Sequence, residues 1–342
     1  MKVSVVILNW NGKALLSAYL PNVVEHTLGK YPFQVELVVA DSGSIDGSLN
    51  FVRDAYPQIR VLDLEKNYGF AEGYNRAIRQ IDSEYVVLLN SDVEVTAGWL
   101  SVMIDYLDAN SNVVACQPKI RSLRNPDYFE HAGACGGFLD ALGYPFCRGR
   151  IFEYVEQDKG QYEDIIDVLW ASGACLCIRT QAYIKEGGLD SVFFAHMEEI
   201  DLCWRLRSRG YRIVCIPSAT VFHLGGATLS KENPHKTFLN YRNNLLMLYK
   251  NLTRHKLFFT LFVRFFLDYA SMLVFLISGK RRDAWAVVRA RFDFWSKVSS
   301  FAPVRKENRL KATNRRLPQI YKGSILFNSF LKGCHTYKPW NK

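Results

Sequence analysis

Short apolar segments alternate with segments of helical apolar spacing along the first 90 residues, and this alternation limits the fold more than any other feature. The apolar runs are rich in β-branched residues, as in strands buried on both faces. The predicted strands are Val3–Asn9, Gln34–Ala40, Arg60–Leu64 and Tyr85–Asn90, and the predicted helices between them are Lys13–Thr27, one that ends near Ala55, and Ala71–Ile81. This spacing predicts an α/β fold with a Rossmann-like, mostly parallel central sheet.

The pattern is less regular beyond residue 110, where Gly and aromatic residues are frequent and no order of elements is predicted for 110–170. Further along, the sequence predicts a strand at Val168–Arg179, a helix at Ile200–Arg209 and short strands at Tyr211–Cys215 and Thr220–Phe222. After about residue 230 the chain becomes rich in Arg and Lys and contains long apolar helical stretches. We therefore expect an α/β domain over 1–230 and a helical, basic region over 231–342.

Charge is distributed very unevenly along the chain. Residues 1–230 contain 20 Lys and Arg against 28 Asp and Glu, a net charge of −8, whereas residues 231–342 contain 23 against 5, a net charge of +18. A basic region of this kind indicates an anionic partner, either a membrane surface or nucleic acid. The eight cysteines include no Cys-x-x-Cys pair, so we expect a reducing compartment and no zinc site.

One apolar segment, Leu257–Ser278, is about as long as a bilayer span, which needs roughly 20 residues. It contains Arg264 and Asp268, four residues apart and able to pair on one helix face. Because charges are costly inside a membrane, we favour helices that lie in or on the membrane over a true span. Trp285 and Trp295 suit such an interface. The alternative is a packed, soluble helical subdomain.

Two aspartates follow directly on predicted strands, at the sheet edge where α/β folds bind ligands. Asp41 opens the segment 41–48 and is placed to accept hydrogen bonds from a nucleobase or ribose. Asp92, in Asn90-Ser91-Asp92, is placed to hold a divalent cation that neutralises a diphosphate. The structural alternative for each is a turn or helix cap. The segment 67–75 supplies glycines at a helix start, which suits an anion.

An acidic cluster precedes the helix predicted at 200–209. Glu198, Glu199 and Asp201 raise one another's pKa as like charges, which suits a general base. Helical geometry puts Glu198 and Asp201 on one face and Glu199 on another, so the three cannot share one role. His223 ends a predicted strand and is a candidate metal ligand or diphosphate contact. Acids at a helix start also stabilise the helix dipole, which is the structural alternative.

Taken in order, these segments resemble the family 2 glycosyltransferases of GT-A fold that act on bacterial cell-surface polysaccharides, and most closely rhamnosyltransferases. The pieces that carry the resemblance are Val3–Gly12, Asp41–Ser48, Asn67–Phe70, Asn90–Asp92, Trp170–Ala174, Glu198–Leu202 and His223. The resemblance covers about residues 1–230 and extends loosely to Tyr241–Lys250. Asn90 stands where the family usually has the first Asp of Asp-x-Asp, and Glu199 stands where it usually has Asp.

The resemblance implies roles for individual residues. Glu199 corresponds to the general base, with Glu198 and Asp201 as alternatives, and Asp92 and His223 would hold Mn²⁺ or Mg²⁺ at the diphosphate. The donor-binding residues implied are Asn9, Asn11, Asp41, Asn67, Gly69, Asn75, Asn90 and Asp92. The family's processive synthases carry a Gln-x-x-Arg-Trp motif that this chain lacks, which favours transfer of a single sugar.

The expected function is inverting transfer of one sugar from a dTDP- or UDP-sugar, with dTDP-rhamnose first, to a hydroxyl of a lipid-linked saccharide. The expected location is the cytoplasmic face of an anionic membrane, with no nucleic-acid partner. A nicotinamide oxidoreductase is disfavoured because no Gly-x-Gly-x-x-Gly follows the first strand. A non-catalytic nucleotide-sugar or saccharide-binding protein is the main alternative.

Overall fold

The computed structural model describes residues 1–226 and 233–337. Within them the helices are α1 Lys13–Thr27, α2 Ser48–Ala55, α3 Gly69–Ile78, α4 Trp99–Ala109, α5 Thr180–Lys185, α6 Glu198–Ser208, α7 Pro234–Asn251, α8 Arg254–Ile277, α9 Arg281–Lys311 and α10 Ile325–Lys332. The strands are β1 Lys2–Asn9, β2 Gln34–Asp41, β3 Arg60–Asp63, β4 Tyr85–Leu89, β5 Val93–Val95, β6 Val113–Ser122, β7 Gly137–Leu139, β8 Pro145–Cys147, β9 Arg150–Ile151, β10 Tyr154–Val155, β11 Ile166–Asp167, β12 Cys175–Arg179 and β13 Arg212–His223.

Nine of these strands form one mixed sheet in the order β11-β13-β6-β12-β4-β1-β2-β3, with β5 paired to β13. β1 is parallel to β2 and β4, β2 to β3, and β6 to β13, while β12 runs antiparallel between β4 and β6. Six strands therefore point the same way, and β5, β11 and β12 oppose them. Since β1, β2, β4 and β13 share a direction, their carboxyl ends meet at one edge of the sheet.

Helices cover both faces of this sheet because its strands are apolar on both sides. Along β1, Val3, Val5 and Ile7 belong to one hydrophobic cluster with residues of α1 and α4. Val6 belongs to the other cluster, with residues of α3, α6 and α7. This alternation follows the two-residue period of a strand, and it confirms the α/β fold expected from the sequence.

The sequence misjudged some elements of the second half. The strand predicted at Val168–Arg179 is confined to Cys175–Arg179, and the residues before it form an irregular loop at the sheet edge. The two short strands predicted at 211–222 are one strand, β13, with a change of register between Ile216 and Thr220. Pro217 lies in this interval and has no N–H for the ladder, which explains why the sequence suggested two strands. Part of the region 110–170, for which the sequence predicts no order of elements, forms a small antiparallel sheet with the strand order β10-β9-β8-β7.

The helices α7, α8, α9 and α10 lie in the basic region defined by the charge distribution. Leu245, Leu246 and Leu248 of α7 belong to the same cluster as the sheet core, so α7 packs directly on the α/β part. The boundary predicted at 230/231 lies outside the described residues. Within the described ranges α8 alone is long and apolar enough to cross a membrane by length and composition.

The two charged residues inside the apolar stretch of α8, Arg264 and Asp268, face the protein, whereas Arg254 and Lys256 in its first turn are exposed. Arg264 and Asp268 are buried and paired at 3.0 Å, and Arg291 of α9 lies 3.3 Å from Asp268. Arg264 also donates to the carbonyl oxygen of Leu142 at 3.1 Å. The opposite face of α8 is apolar and exposed; its exposed residues are Phe258, Phe259, Phe262, Phe265, Phe266, Leu273, Val274, Leu276 and Ile277.

Candidate active site

The ends of β1 and β2 are joined by their last side chains. Asn9 and Asp41 are register partners, and Asn9 Nδ2 donates to Asp41 Oδ2 at 2.8 Å. The other carboxylate oxygen of Asp41 accepts the backbone N–H of Ser44 at 2.8 Å. Both residues are buried, and Asn9 Oδ1 is a buried oxygen with no hydrogen-bond partner in the described part of the chain. Asp41 therefore connects the end of β1 to the loop after β2, and its carboxylate oxygens keep lone pairs that are available to a ligand.

Asn11 ties the loop after β1 to the loop after β2. Its backbone N–H donates to Ser44 Oγ, and its side-chain oxygen accepts the N–H of Ile45, both at 2.8 Å. Asn11 is exposed and adopts a left-handed backbone with φ of 49°. The structure thus brings Asn9, Asn11 and Asp41 together, as the sequence predicts for one binding edge.

The start of α3 lies next to the turn before α6. Gly69 has φ of 77°, and a Cβ there would lie 2.4 Å from the Phe194 ring, so only glycine fits. The exposed Asn67 accepts the N–H of Gly69 at 2.8 Å and so starts the helix. Both residues shape the backbone at this position.

Asn75 is placed differently from the prediction. Its Nδ2 donates to the Leu189 carbonyl at 2.7 Å, and its Oδ1 accepts from the Tyr183 hydroxyl at 2.7 Å and from the Leu189 N–H at 3.1 Å. Both ends of the buried amide are therefore occupied, by Tyr183 of α5 and by Leu189 in the segment that follows. These contacts give Asn75 a structural role and do not support the predicted contact with a donor.

Asn90, Asp92 and His223 converge where β4 and β13 end. His223 Nε2 lies 3.1 Å from Asp92 Oδ1 and 3.3 Å from Asn90 Nδ2, and its Nδ1 lies 3.3 Å from Glu130 Oε2. Asp92, His223 and Glu130 are all buried. Burial disfavours the imidazolium, but the hydrogen bonds with Asp92 and Glu130 outweigh it and raise the pKa of His223 to about 10.

Glu130 is a site residue that the sequence analysis missed. It lies in the irregular region before β7, where no periodic signal marks it, and only the fold brings it to His223. Burial works against its charge, yet the hydrogen bond and charge of His223 lower the pKa of Glu130. Its Oε2 also accepts the Ala132 N–H. Glu130 thus orients the imidazole from the side opposite to Asp92.

The pair Asp92 and His223 fits two neighbouring ligands of a divalent ion. Asp92 would offer a carboxylate oxygen and His223 the Nε2 of a neutral imidazole, 3.1 Å apart, and a bound ion would displace the proton held between them. The described residues contain no group of three or more His, Cys, Asp and Glu arranged to hold a metal on their own. Such an ion would therefore need oxygen ligands from a bound diphosphate and from water.

Glu198 and Glu199 are the first residues of α6, after Met197, and each has a buried Oε2 without a hydrogen-bond partner in the described part of the chain. Burial, followed by the charge of Glu199, raises the pKa of Glu198 well above its ordinary value. Burial also raises the pKa of Glu199 to about 7, although the backbone N–H groups at the helix start oppose this. One acid of this pair is therefore protonated near neutral pH while the other is poised to accept a proton.

Asp201, the third acid of the cluster, is an ionic anchor. It is fully buried and bonded to Lys250 Nζ at 2.6 Å, Asn251 Nδ2 at 2.8 Å and Arg205 Nε at 2.9 Å. Burial alone would raise its pKa, but Lys250 and Arg205 lower it. A carboxylate held by two cations is a poor base, so the structure removes Asp201 from the candidate bases.

Comparison with known proteins decides which family this arrangement belongs to. Residues 4–183, more than half of the chain, match the family model described as Glycosyl transferase family 2. The chain belongs to this family. This glycosyltransferase is 30% identical over 207 residues to the N-acetylglucosaminyl-diphospho-decaprenol L-rhamnosyltransferase of Mycobacterium tuberculosis, a match that covers 55% of this chain and 66% of the relative.

Two further proteins are similar to the chain, one in sequence and one in fold. Rhamnosyltransferase WbbL of Escherichia coli is 24% identical over 167 residues, covering 46% of this chain and 61% of its own. The chain thus spans just under two thirds of the length of both relatives. The mannosyltransferase PcManGT of Pyrobaculum calidifontis, solved with GDP-Man and Mn²⁺, superposes with a TM-score of 0.52 at 15% identity and covers 90% of this chain and 83% of its own. The GT-A fold and the likeness to rhamnosyltransferases are both confirmed.

Proposed function

We propose that this glycosyltransferase moves a single sugar from a nucleoside-diphosphate sugar to a hydroxyl of a lipid-linked saccharide, with inversion at C1. Rhamnose is our first choice for this sugar. The observation that carries the proposal is the Glu198–Glu199 pair, whose Oε2 atoms are buried and unpartnered in the described residues of a family 2 chain. A buried carboxylate oxygen without a partner costs free energy, so a chemical role is a better explanation than a structural one.

Glu199 is the proposed general base. With Glu198 protonated, the ionised Glu199 takes the proton of the acceptor hydroxyl as its oxygen bonds to C1 of the donor sugar and the bond from C1 to the diphosphate oxygen breaks. Its pKa of about 7 lies near the pH of the cytoplasm, where a base is both deprotonated and reactive. A single displacement of this kind inverts the configuration at C1.

The donor diphosphate would bind at the edge formed by the ends of β4 and β13. Asp92 and His223 are the residues that would hold Mn²⁺ or Mg²⁺, and Glu130 keeps the His223 ring oriented. When bound, the ion neutralises the negative charge of the leaving diphosphate. Asp41, with Asn9 and Asn11 beside it, supports the proposed contact with the nucleoside at the neighbouring strand ends.

The acceptor and donor classes are supported by the relatives. The Mycobacterium tuberculosis relative is named for rhamnose transfer to a decaprenol-linked saccharide. We propose dTDP-rhamnose as the donor, with UDP-sugars as the second choice, and a lipid-linked saccharide as the acceptor.

The exposed face of α8 supports binding along an anionic membrane at its cytoplasmic side. Phe258, Phe262 and Ile277 are 78%, 58% and 88% exposed, and Lys280, Arg281 and Arg282 follow the helix. Because Arg264 and Asp268 point into the protein, the helix can lie in the membrane surface with only apolar side chains inserted. The basic residues beside it would contact anionic headgroups.

Release of nucleoside diphosphate tests this function. The full chain is incubated with a panel of dTDP- and UDP-sugars and a bacterial lipid extract, with Mn²⁺, with Mg²⁺, or with chelator. We expect metal-dependent release from one donor, dTDP-rhamnose first, together with transfer of labelled sugar to the lipid fraction. Nucleotide binding without release from any donor would contradict the proposal and favour a non-catalytic binding protein.

A further inference from the structure

The turn that leads into α6 has an unusual backbone. Phe194, His196 and Met197 adopt positive φ angles of 63°, 71° and 74°, and none of them is glycine. L-residues with a side chain rarely take this conformation because the side chain crowds the neighbouring carbonyl. Three such residues within four positions persist only if the surroundings hold them.

A single side chain from α7 holds this turn. Asn243 is fully buried, and its Nδ2 lies 2.8 Å from each of the carbonyl oxygens of Phe193, Ala195 and His196. The turn and the helix are far apart in sequence, so this contact exists only in the folded chain.

Arg242 supports the same contact. Its Nε donates to Asn243 Oδ1 at 2.8 Å, which fixes the orientation of the amide. Its Nη2 donates to the carbonyl oxygens of Val192 at 2.9 Å and Phe193 at 3.2 Å. Together, the two residues of α7 bind four carbonyl oxygens of the segment 192–196, those of Val192, Phe193, Ala195 and His196.

Glu198 and Glu199 follow this turn directly, as the first two residues of α6. The carboxylate Oε2 atoms of both acids lack partners in the described chain, so no side-chain contact aims those oxygens. Their direction is set by the backbone at the start of α6, and that backbone is set by the turn. An error of about 1 Å in a reacting group can reduce the rate by roughly 10²-fold.

We propose that Asn243 is a positioning residue that aims the Glu198–Glu199 pair at the acceptor by holding the strained turn before α6. The inference rests on the proposed function, because it assumes that this pair supplies the base. Asn243 itself touches neither donor nor acceptor in this account and acts through the turn.

Asn243→Asp tests the proposal. The variant keeps the shape of the side chain and the oxygen that accepts from Arg242, but it replaces the donor to three carbonyls with an oxygen that repels them. Asn240→Asp is the matched control, since Asn240 lies on the same helix and, among the described residues, donates to the Lys236 carbonyl one turn earlier and not to the turn before α6. We expect kcat to fall roughly 10- to 100-fold in Asn243→Asp, with donor KM unchanged within about twofold.

A double-mutant cycle separates positioning from general damage. If Asn243 acts through Glu199, adding Asn243→Asp to Glu199→Gln changes kcat by less than about twofold, because the group being aimed is already gone. If the double variant loses kcat by the product of the two single losses, the proposal is overturned. A kcat for Asn243→Asp equal to that of the control Asn240→Asp would overturn it as well. Should Asn243→Asp not fold, Asn243→Ser, which keeps one donor, enters the same cycle.

Failure of the proposed function gives a different result. An unchanged kcat in Glu199→Gln alone would show that Glu199 is not the base, whatever Asn243 does. The cycle is then run with Glu198→Gln, and an additive loss there would overturn the positioning role as well.

Discussion

Replacing Glu199 by Gln removes one ionisable oxygen and almost no volume, so it isolates the carboxylate. Glu199 has a half-buried side chain at the start of α6, and its Oε2 has no partner in the described residues that the change would leave unsatisfied. We therefore expect a large loss of turnover together with a gain in stability. That combination is characteristic of a group kept for chemistry.

The two magnitudes follow from the site. Loss of general-base assistance lowers kcat by roughly 10²- to 10⁴-fold, or about 3–5 kcal/mol in activation free energy. The pKa of Glu199 is raised from its ordinary 4.5 to about 7, a difference worth about 3 kcal/mol if fully expressed. Water screens a half-buried group, so we expect Gln to stabilise the fold by about 1–3 kcal/mol at pH 8.

The upward shift of the Glu199 pKa determines how the stability of the fold changes with pH. Because the folded pKa is raised, the protonated acid contributes stability below about pH 4.5, and that contribution is lost as the pH rises through 7. The stability gained by Gln should therefore be larger at pH 8 than at pH 5. Wild-type kcat should rise with pH over the same interval.

Steady-state release of nucleoside diphosphate at saturating donor measures the first effect, and urea unfolding at pH 5 and pH 8 measures the second. Glu25→Gln, an exposed acid on α1, is the matched control and should change neither. Turnover of Glu199→Gln within about threefold of wild type would refute Glu199 as the base. A loss of stability at pH 8 would show that its carboxylate is paired in the folded protein.

Three further predictions concern the anchor, the metal and the membrane. Asp201→Asn leaves Lys250 and Arg205 buried beside a neutral group and should lower the free energy of unfolding by about 3–5 kcal/mol at pH 7 in urea titrations. Because the folded pKa of Asp201 is lowered, this difference should shrink as the pH falls below its ordinary value of 3.8, and a variant as stable as wild type at pH 7 would contradict the anchor role. Asp92→Asn should raise the Mn²⁺ concentration for half-maximal activity by roughly 10- to 100-fold, and an unchanged metal dependence would remove Asp92 from the site. Replacing both Phe258 and Phe262 by Ser should weaken sedimentation with anionic vesicles at least about tenfold without changing Tm, since both are exposed. Equal sedimentation of this variant and wild type would contradict the membrane face.

The sheet and its binding edge were predictable because they depend on local patterns. The period of β1 and β2 determines which residues are buried, and the direction of parallel strands brings Asn9 to Asp41. The same rule anticipates that Asp92 and His223 lie at one edge, although β4 and β13 are far apart in sequence. The position of a residue at the end of a strand can therefore be predicted once the strand is recognised in the sequence.

Other parts of the site depend on contacts that no local pattern records. Glu130 reaches His223 from an irregular loop, and Asn243 reaches the turn before α6 from a helix of the basic region. Asp201 looked like a candidate base because acids cluster in the sequence, and only the fold shows that Lys250 neutralises it. Asn75 likewise follows the glycines of α3 in sequence, but its side chain is bound by Leu189 after α5.

The configuration of the product tests whether Glu199 acts as a general base in a single displacement. The full chain is given dTDP-rhamnose, Mn²⁺ and a lipid-linked saccharide acceptor, and the anomeric configuration of the new linkage is read by NMR. One base acting in a single displacement predicts a single added sugar whose C1 configuration is opposite to that of the donor. A product that retains the donor's configuration would contradict the role of Glu199 as a general base.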